Sequence, residues 1–591
     1  MQGVSLLRTG SATPRAAQIA AGRLRLCLDP ASLSLTLHDA QGALTLSGIT
    51  PRLEAAAPGD GALAIGPRRT LSVGELKGRG GPALRLEVQA VGRGFVGVRW
   101  TLEVAAAGDA LACSLALENR TSQRLELQTL APLARGPLAP SARTLPTPLP
   151  VQIVRSQKDA FLALGFTTER RHPACVRWAG EATPEPAFSL EHTLPGVLEP
   201  GEAIESERAW LALGTDEASL LAEWARLAGL EMEARAPGRA VLVSDASPHE
   251  LPARVAALRQ FADLVVVEPA GSSASRAREE SAWAAFASEA HALGALPGAT
   301  LGPGPRRSRE AFAAECAALR RLGIEHVAAR VEDVTLGSVG LIDALRLPAA
   351  PGAAGVRRAL DLGFSTQRLW RLDPGPALAP GGSPPTEQER TQFCVFSLVG
   401  AAFRIVGDPR RLDPVRARWL RLATPGLARP TTVRPIPGGR AMVVSLVGER
   451  WAVLLVNESG STLSLEATFR SLGIEGPHHV FDFWNERTLG EVHEALAPVP
   501  VEPLGSRLFA LTPVAPRAQV IGTTLHLGMG CLEAGGIRAR EDGALGLTLR
   551  LPGLRRGAVW IAVPGEAMAR RIEVSFEDSF SLALSPAASP S

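Results

Sequence analysis

The 591-residue chain has no tyrosine, only two lysines (Lys77 and Lys158) and only three asparagines (Asn119, Asn457 and Asn485). Its basic charge is therefore carried almost wholly by arginine. Ala, Gly, Pro, Arg and Leu dominate, which is the signature of a GC-rich coding bias. The other reading is relaxed selection on a sugar site, where Tyr, Asn and Lys often make polar contacts. Charge of one sign is also missing in excess: 62 Lys and Arg face 59 Asp and Glu, a net charge of +3. That balance argues against nucleic acid and against an anionic membrane as partner. The six cysteines are scattered and none forms a C-x-x-C pair, so neither a zinc site nor a compact disulfide framework is expected. No cofactor motif is present: a P-loop and H-E-x-x-H are both lacking. No apolar run reaches the ~18 residues of a membrane span. The start, Met1-Gln-Gly-Val-Ser-Leu-Leu-Arg8, lacks an apolar run of signal-peptide length. A cytoplasmic protein with reduced thiols is expected.

The patterning divides the chain into four parts. Residues 1–235 carry short alternating runs such as Leu24-Arg-Leu-Cys-Leu28 and Leu111-Ala-Cys-Ser-Leu-Ala-Leu117. Apolar residues at every second position put one face of each strand on a core. An N-terminal β-supersandwich is expected, closed by a helix over 219–230. Over 236–430 the pattern switches to alternating strands (240–243, 264–267, 326–331) and helices (248–261, 282–293, 309–322). That alternation predicts a parallel sheet with right-handed crossovers, hence a (β/α)8-type barrel. The region has roughly 195 residues against the ~250 usual for such a barrel, so a trimmed version is expected. Residues 431–515 read as a C-terminal β-sandwich and 516–591 as an additional β domain with a frayed tail. Pro-, Ala- and Gly-rich patches at 132–150, 374–385 and 585–591 predict loops.

Two segments of the middle region carry the functional signal. They are Gly323-Ile-Glu-His-Val-Ala-Ala-Arg330 and Gly355-Val-Arg-Arg-Ala-Leu-Asp-Leu-Gly-Phe-Ser365. Both resemble the catalytic segments of melibiase-type α-galactosidases, G-I-D-Y-x-K-x-D and G-x-x-D-x-M-R-I-G-x-D. Other stretches are similar to that family in the same order: Leu162-Ala-Leu-Gly-Phe-Thr-Thr168, Leu198-Glu-Pro-Gly-Glu202, Glu289-Ala-His-Ala-Leu-Gly294, Phe403-Arg-Ile-Val-Gly-Asp408 and Val480-Phe-Asp-Phe-Trp484. The resemblance implies a sandwich, a barrel and a small β domain in that order, and an α-galactoside or other glycan as ligand. A homo-oligomer is compatible with it.

The departures fall on the chemistry. In the family the two final aspartates are nucleophile and acid/base; here they align with Arg330 and Ser365. The family's pocket tryptophans fall on Gly238-Arg-Ala-Val-Leu-Val-Ser244, its D-D-G-W on Glu268-Pro-Ala-Gly271 and its lysine on Ala328. Retaining hydrolysis needs two carboxyl groups about 5–5.5 Å apart across the scissile bond. A guanidinium, always protonated, cannot attack an anomeric carbon, and a serine without a base cannot donate the proton. One reading is a hydrolase scaffold that has lost catalysis and binds carbohydrate or a partner; Arg330, Ser365, Trp370 and Asp373 would then line the old sugar pocket, with core packing as the other, preferred reading of Trp370. The other is an active retaining α-glycosidase with relocated carboxylates, drawn from Glu268, Glu332 and Asp333. Simultaneous loss of several pocket motifs favours the first. Arg330 is expected to pair with Glu268 or Glu332. His326 and Trp283 are expected in the interior, and Asp408 as a helix cap.

Overall fold

The computed structural model describes the chain apart from residues 1–4, 9–16, 22, 30–31, 41–43, 57–68, 79–80, 92–95, 106–108, 137–142, 145–148, 156–159, 180–186, 235–241, 260–264, 270–279, 302–308, 331, 348–352, 374–375, 379–384, 401–402, 406–407, 425, 428, 540–544, 567 and 585–591. The loops expected at 374–385 and 585–591 therefore lie mostly or wholly outside the described residues. Chain contacts separate two compact units. The first is Met1–Ala234 with Pro305–Ala314 and Glu332–Leu341; the second is Arg235–Gly304, Glu315–Val331 and Ile342–Ser591.

The first unit is built from a nine-stranded and an eight-stranded sheet, antiparallel throughout. Strict alternation generates it: Ala110–Asn119 is buried at every second residue. Leu26, Leu35, Leu130 and Phe188 from one sheet share a core with Trp100, Leu115, Phe166 and Leu211 from the other. The buried indole of Trp100 donates to Pro132 O at 2.9 Å, so its one polar atom is satisfied between the sheets. Residues 132–135, expected in a loop, instead continue the strand Leu125–Arg135. The strand tolerates Pro132 because its ladders are irregular there, between Leu130 and Leu133 on one side and Ala131 and Ala134 on the other. The helix Glu217–Glu231 is capped by Asp216, whose side chain accepts from Ser219 N.

The second unit begins with an eight-stranded parallel sheet. Its strands are β1 (Leu242–Ala246), β2 (Val265–Pro269), β3 (Leu296–Thr300), β4 (His326–Arg330), β5 (Ala344–Arg346), β6 (Arg371–Asp373), β7 (Pro376–Leu378) and β8 (Phe403–Ile405). The order is β6-β5-β4-β3-β2-β1-β8-β7, every ladder parallel. Helices α1 (Leu251–Arg259), α2 (Glu280–Ala292), α3 (Arg309–Arg321), α4 (Ala353–Asp361), α5 (Glu387–Leu398) and α6 (Pro414–Ala423) alternate with the strands. β2 and β4 are apolar and buried along most of their length, as strands covered on both faces are. A complete barrel is not evident: among the described residues no ladder joins β6 to β7 and no α-helix follows β4 or β6.

The C-terminal sandwich sets a six-stranded sheet against the pair Leu463–Thr468 and Ala495–Val501 over a core of Val453, Leu465, Phe469 and Phe509. The last part is a four-stranded antiparallel sheet dominated by the long hairpin Leu545–Ala562 and Arg570–Leu584.

Candidate functional site

In-register neighbours on parallel strands point to the same face of a sheet. The pairing Thr300↔Ala328↔Ala344↔Arg371 sets one row across β3 to β6, and Arg330↔Arg346↔Asp373 sets the row beyond it. Glu268 joins this face from β2, within 3.3 Å of the Thr300 hydroxyl. Thr300, Arg346 and Asp373 are each the last residue of their strands, and Glu268 the last but one. Carboxyl ends of parallel strands are where such folds place ligands and catalytic groups.

At the centre is one guanidinium. Arg346 Nη2 donates to Glu268 Oε1 at 2.9 Å and Oε2 at 2.8 Å, while its Nε donates to Asp373 Oδ2 at 3.0 Å. The carboxylates are 5% (Glu268) and 1% (Asp373) exposed. Burial works against the Arg346 charge, but Asp373 and Glu268 outweigh it and hold its pKa above the ordinary arginine value. Gly298 makes room for this arrangement: a Cβ there would stand 2.5 Å from Val266 Cγ1 and 3.3 Å from Glu268 Cγ.

A second layer surrounds it. Asp343 accepts from Val327 N at 2.9 Å and from Arg320 Nη2 at 3.4 Å. Burial pushes the Arg371 guanidinium down to about 10, with Asp343 pulling it back; it remains charged at neutral pH. His326 is buried as expected, and burial followed by the charge of Arg371 lowers its pKa to about 4. The imidazole is thus neutral near pH 7. Three guanidinia (Arg320, Arg346, Arg371) and three carboxylates (Glu268, Asp343, Asp373) offset one another.

The structure brings only part of the expected site together. Glu268 and Asp373 meet, but the cation that joins them is Arg346. Arg330 ends β4 on the same face with an exposed side chain, and the expected Arg330–Glu268 pair is replaced by Arg346–Glu268. Ser365 is fully buried in the 3-10 turn Gly363–Ser365, where its hydroxyl donates to Leu362 O at 2.7 Å. The strand end that follows α4 is Asp373, eight positions further on. Trp370, 1% exposed, donates from its indole to Ser365 Oγ at 3.3 Å, so it packs in the core and presents no face to a sugar. Glu332 and Asp333 belong to the first unit. Glu332 is exposed; Asp333 is buried, and its Oδ2 has no hydrogen-bond partner among the described residues. Trp283 is 7% exposed, and Asp408 caps the turn Pro409–Arg411 through Arg410 N, both as expected.

Comparison with known proteins identifies the fold. Residues 440–511 match the family model for the α-galactosidase C-terminal β-sandwich domain. No curated protein sequence matches the chain. Among solved structures, the galactosidase domain of the α-galactosidase–sucrose kinase AgaSK superposes with a TM-score of 0.57 at 11% identity, over 86% of this chain and all of that one. The GH36 α-galactosidase AgaB from Geobacillus stearothermophilus gives 0.56 at 10% identity, again over 86% of this chain and 100% of that one. A variant of AgaA from the same organism, solved with raffinose, gives 0.55 at 10% identity over 84% of this chain and 100% of that one. The chain has a melibiase-type α-galactosidase-like fold, multidomain and largely β, as the sequence resemblance implied.

Proposed function

We propose that this α-galactosidase-like fold has lost hydrolysis and serves to bind a glycan, with an α-galactoside as first candidate, or a partner protein. The observation that carries the reading is the Arg346 guanidinium lying between Glu268 and Asp373. A glycosidase must keep the gap between its two carboxyl groups free for the scissile bond. Here the gap is filled and both acceptors are taken. The position aligned with the nucleophile is an arginine, and the one aligned with the acid/base is a buried serine whose hydroxyl is already bonded. Glycan binding draws support from AgaA variants solved with raffinose and with stachyose.

The second reading, an active retaining α-glycosidase with relocated carboxylates, has Glu268 and Asp373 at strand ends to draw on. The guanidinium between them sets them roughly 8 Å apart, wider than the about 5–5.5 Å of retaining enzymes. The test is hydrolysis of 4-nitrophenyl α-galactoside and related aryl glycosides at high protein concentration, with Glu268→Gln, Asp373→Asn, Glu332→Gln and Asp333→Asn alongside. We expect no turnover above background. Turnover abolished by any one of these changes would establish relocated chemistry.

The same reading includes an eight-stranded barrel closed between β6 and β7. A flat sheet would hold β2 and β5 roughly 14 Å apart, too far for Glu268 and Arg346 to meet without curling. It also includes domain limits of 1–235, 236–430, 431–515 and 516–591, and a cytoplasmic setting, in keeping with the six free cysteines. No helix among the described residues is long and apolar enough to cross a membrane.

A further inference from the structure

The first unit holds a polar cavity of about 250 Å³ that the reading above does not use. Its walls come from the strands Gly81–Val91, Val96–Ala105 and Ala110–Asn119, the loop at 168–171 and the segment 205–208. Arg85, Arg170, Arg171 and Arg208 line it, and among the described residues no aromatic side chain does. Three glutamates share the lining, and each has internal partners. Glu103 lies 2.6 Å from Arg208 Nη2 and 3.6 Å from Arg85 Nε. Glu205 meets Arg171 at 3.2 Å and accepts from Ser114 Oγ at 3.3 Å. Glu207 is partly buried, which opposes its charge, but Thr168 and the backbone N–H groups of Arg171 and His172 overcome that and keep its carboxyl below the ordinary range.

Among the described residues four guanidinia and three carboxylates line it; Arg170 is also held by Glu233 at 3.2 Å and Arg208 by Glu231 at 3.4 Å, which leaves Arg85 and Arg171 as the least committed cations. The arginines are also loosely held: the Arg85, Arg171 and Arg208 side chains are 40–60% exposed. Ion pairs of that kind contribute about 0–1 kcal/mol, so an incoming anion displaces them at little cost. Arg85 Nε is screened from solvent yet makes no hydrogen bond among the described residues. Its described neighbour Glu103, at 3.6 Å, is beyond hydrogen-bond distance and is taken by Arg208 at 2.6 Å, so an incoming carboxylate would complete this donor. The volume equals roughly eight waters, below the ~300 Å³ at which pockets begin to take drug-sized ligands. A single sugar-sized molecule matches it.

We infer that this cavity is a binding site for a monosaccharide-sized hydroxy acid of the uronic acid class. Its carboxylate would be taken by the planar forks of Arg85 and Arg171, and its hydroxyls by Glu205, Ser114 and Thr168. Arginine suits this task because its fork matches a carboxylate bidentately. The site lies wholly within the first unit and stands whether or not the parallel sheet hydrolyses anything.

The test is isothermal titration calorimetry on the full chain at low salt with galacturonate, galactose and inorganic phosphate as separate probes. Galacturonate is expected to bind at least about tenfold more tightly than either of the others. Arg85→Met is expected to weaken it about tenfold or more, and Arg85→Lys by less, because the charge remains and the fork is lost. Far-UV circular dichroism and melting of each variant confirm that it folds. No binding of galacturonate up to about 10 mM would overturn the proposal. So would equal affinity for galactose or phosphate, or an unchanged affinity in a folded Arg85→Met protein.

Discussion

Glu268 near the end of β2 and Arg346 at the end of β5 meet at 2.8 Å although β3 and β4 lie between them in the sheet. The contact ties four strands together at the end where ligands normally enter such folds. Asp373 shares the same guanidinium from β6 at 3.0 Å. Both carboxylates are thus engaged by the tie.

Replacing Arg346 by Met removes the cation described on this pair while leaving both carboxylates buried. An uncompensated buried charge costs about 3–5 kcal/mol. Thermal melts at pH 7 should show a fall of several degrees. Adding Glu268→Gln and Asp373→Asn should recover much of the loss. A melting temperature unchanged by Arg346→Met would contradict the proposed role of the pair.

The fold was largely legible in the sequence because burial periodicity is local. The alternation in Ala110–Asn119 and the switch to strand–helix grammar after residue 236 are readable without any tertiary information. Site residues were legible chiefly where a rule about strand ends applied. Glu268 was found that way, Asp373 only as a carboxylate eight residues past Ser365; the strand-end rule would also have found Arg346, which ends a strand of only three residues, Ala344–Arg346. Its partner three strands away leaves no mark in the linear pattern. Ser365 was misplaced for a different reason, and Trp370 took the core position that was its preferred reading. The motif frame fits their spacing, but the chain winds into a 3-10 turn there and points both side chains into the core.

Gly298 tests the packing beneath the tie. Its φ is not unusual, so the constraint is space alone: a methyl group would meet Val266 Cγ1 at 2.5 Å on the neighbouring strand. Gly298→Ala is expected to cost about 1–3 kcal/mol through overpacking. The denaturant midpoint should drop with an unchanged slope. Gly448→Ala would be a poor control because of its positive φ; Gly535, with nothing nearer than 3.4 Å to its added Cβ, is the better one.

Restoring a carboxylate at the aligned acid/base position should not restore catalysis. Ser365 is fully buried and its hydroxyl already serves Leu362 O and the Trp370 indole. Ser365→Asp would place a charge in the core with no cation described beside it, at a cost of about 3 kcal/mol or more. The expected result is a less stable protein with no aryl galactosidase activity. Stable folding with measurable turnover would show that position 365 faces a substrate after all.

Acid should unfold the protein partly through its buried histidines. His326 titrates near 6.5 when exposed and at about 4 in the folded chain, because burial and then Arg371 disfavour its charge. Asp343 and Glu268 act in the opposite sense and Arg346 adds to the lowering, without reversing the sign. Between those two values the unfolded chain binds the proton and the folded chain does not. Stability from this residue is therefore intact above about pH 6.5 and declines as pH falls toward 4, by on the order of 3 kcal/mol. His192 is also lowered to about 4, mainly by burial, and contributes a slope of the same sign. It also makes two hydrogen bonds that a replacement would break, Nδ1 to Pro173 O at 2.9 Å and Nε2 with Glu207 N at 3.1 Å. His326 is thus the cleaner site to change. His326→Gln keeps a polar group of similar size and removes the titration. Its unfolding free energy, followed by urea titration from pH 7 to pH 4, should fall less steeply than that of the parent protein, with the remaining slope due to His192 and the other titrating groups. Parallel curves for the two proteins would mean that His326 titrates alike in the folded and unfolded chain, against the lowering.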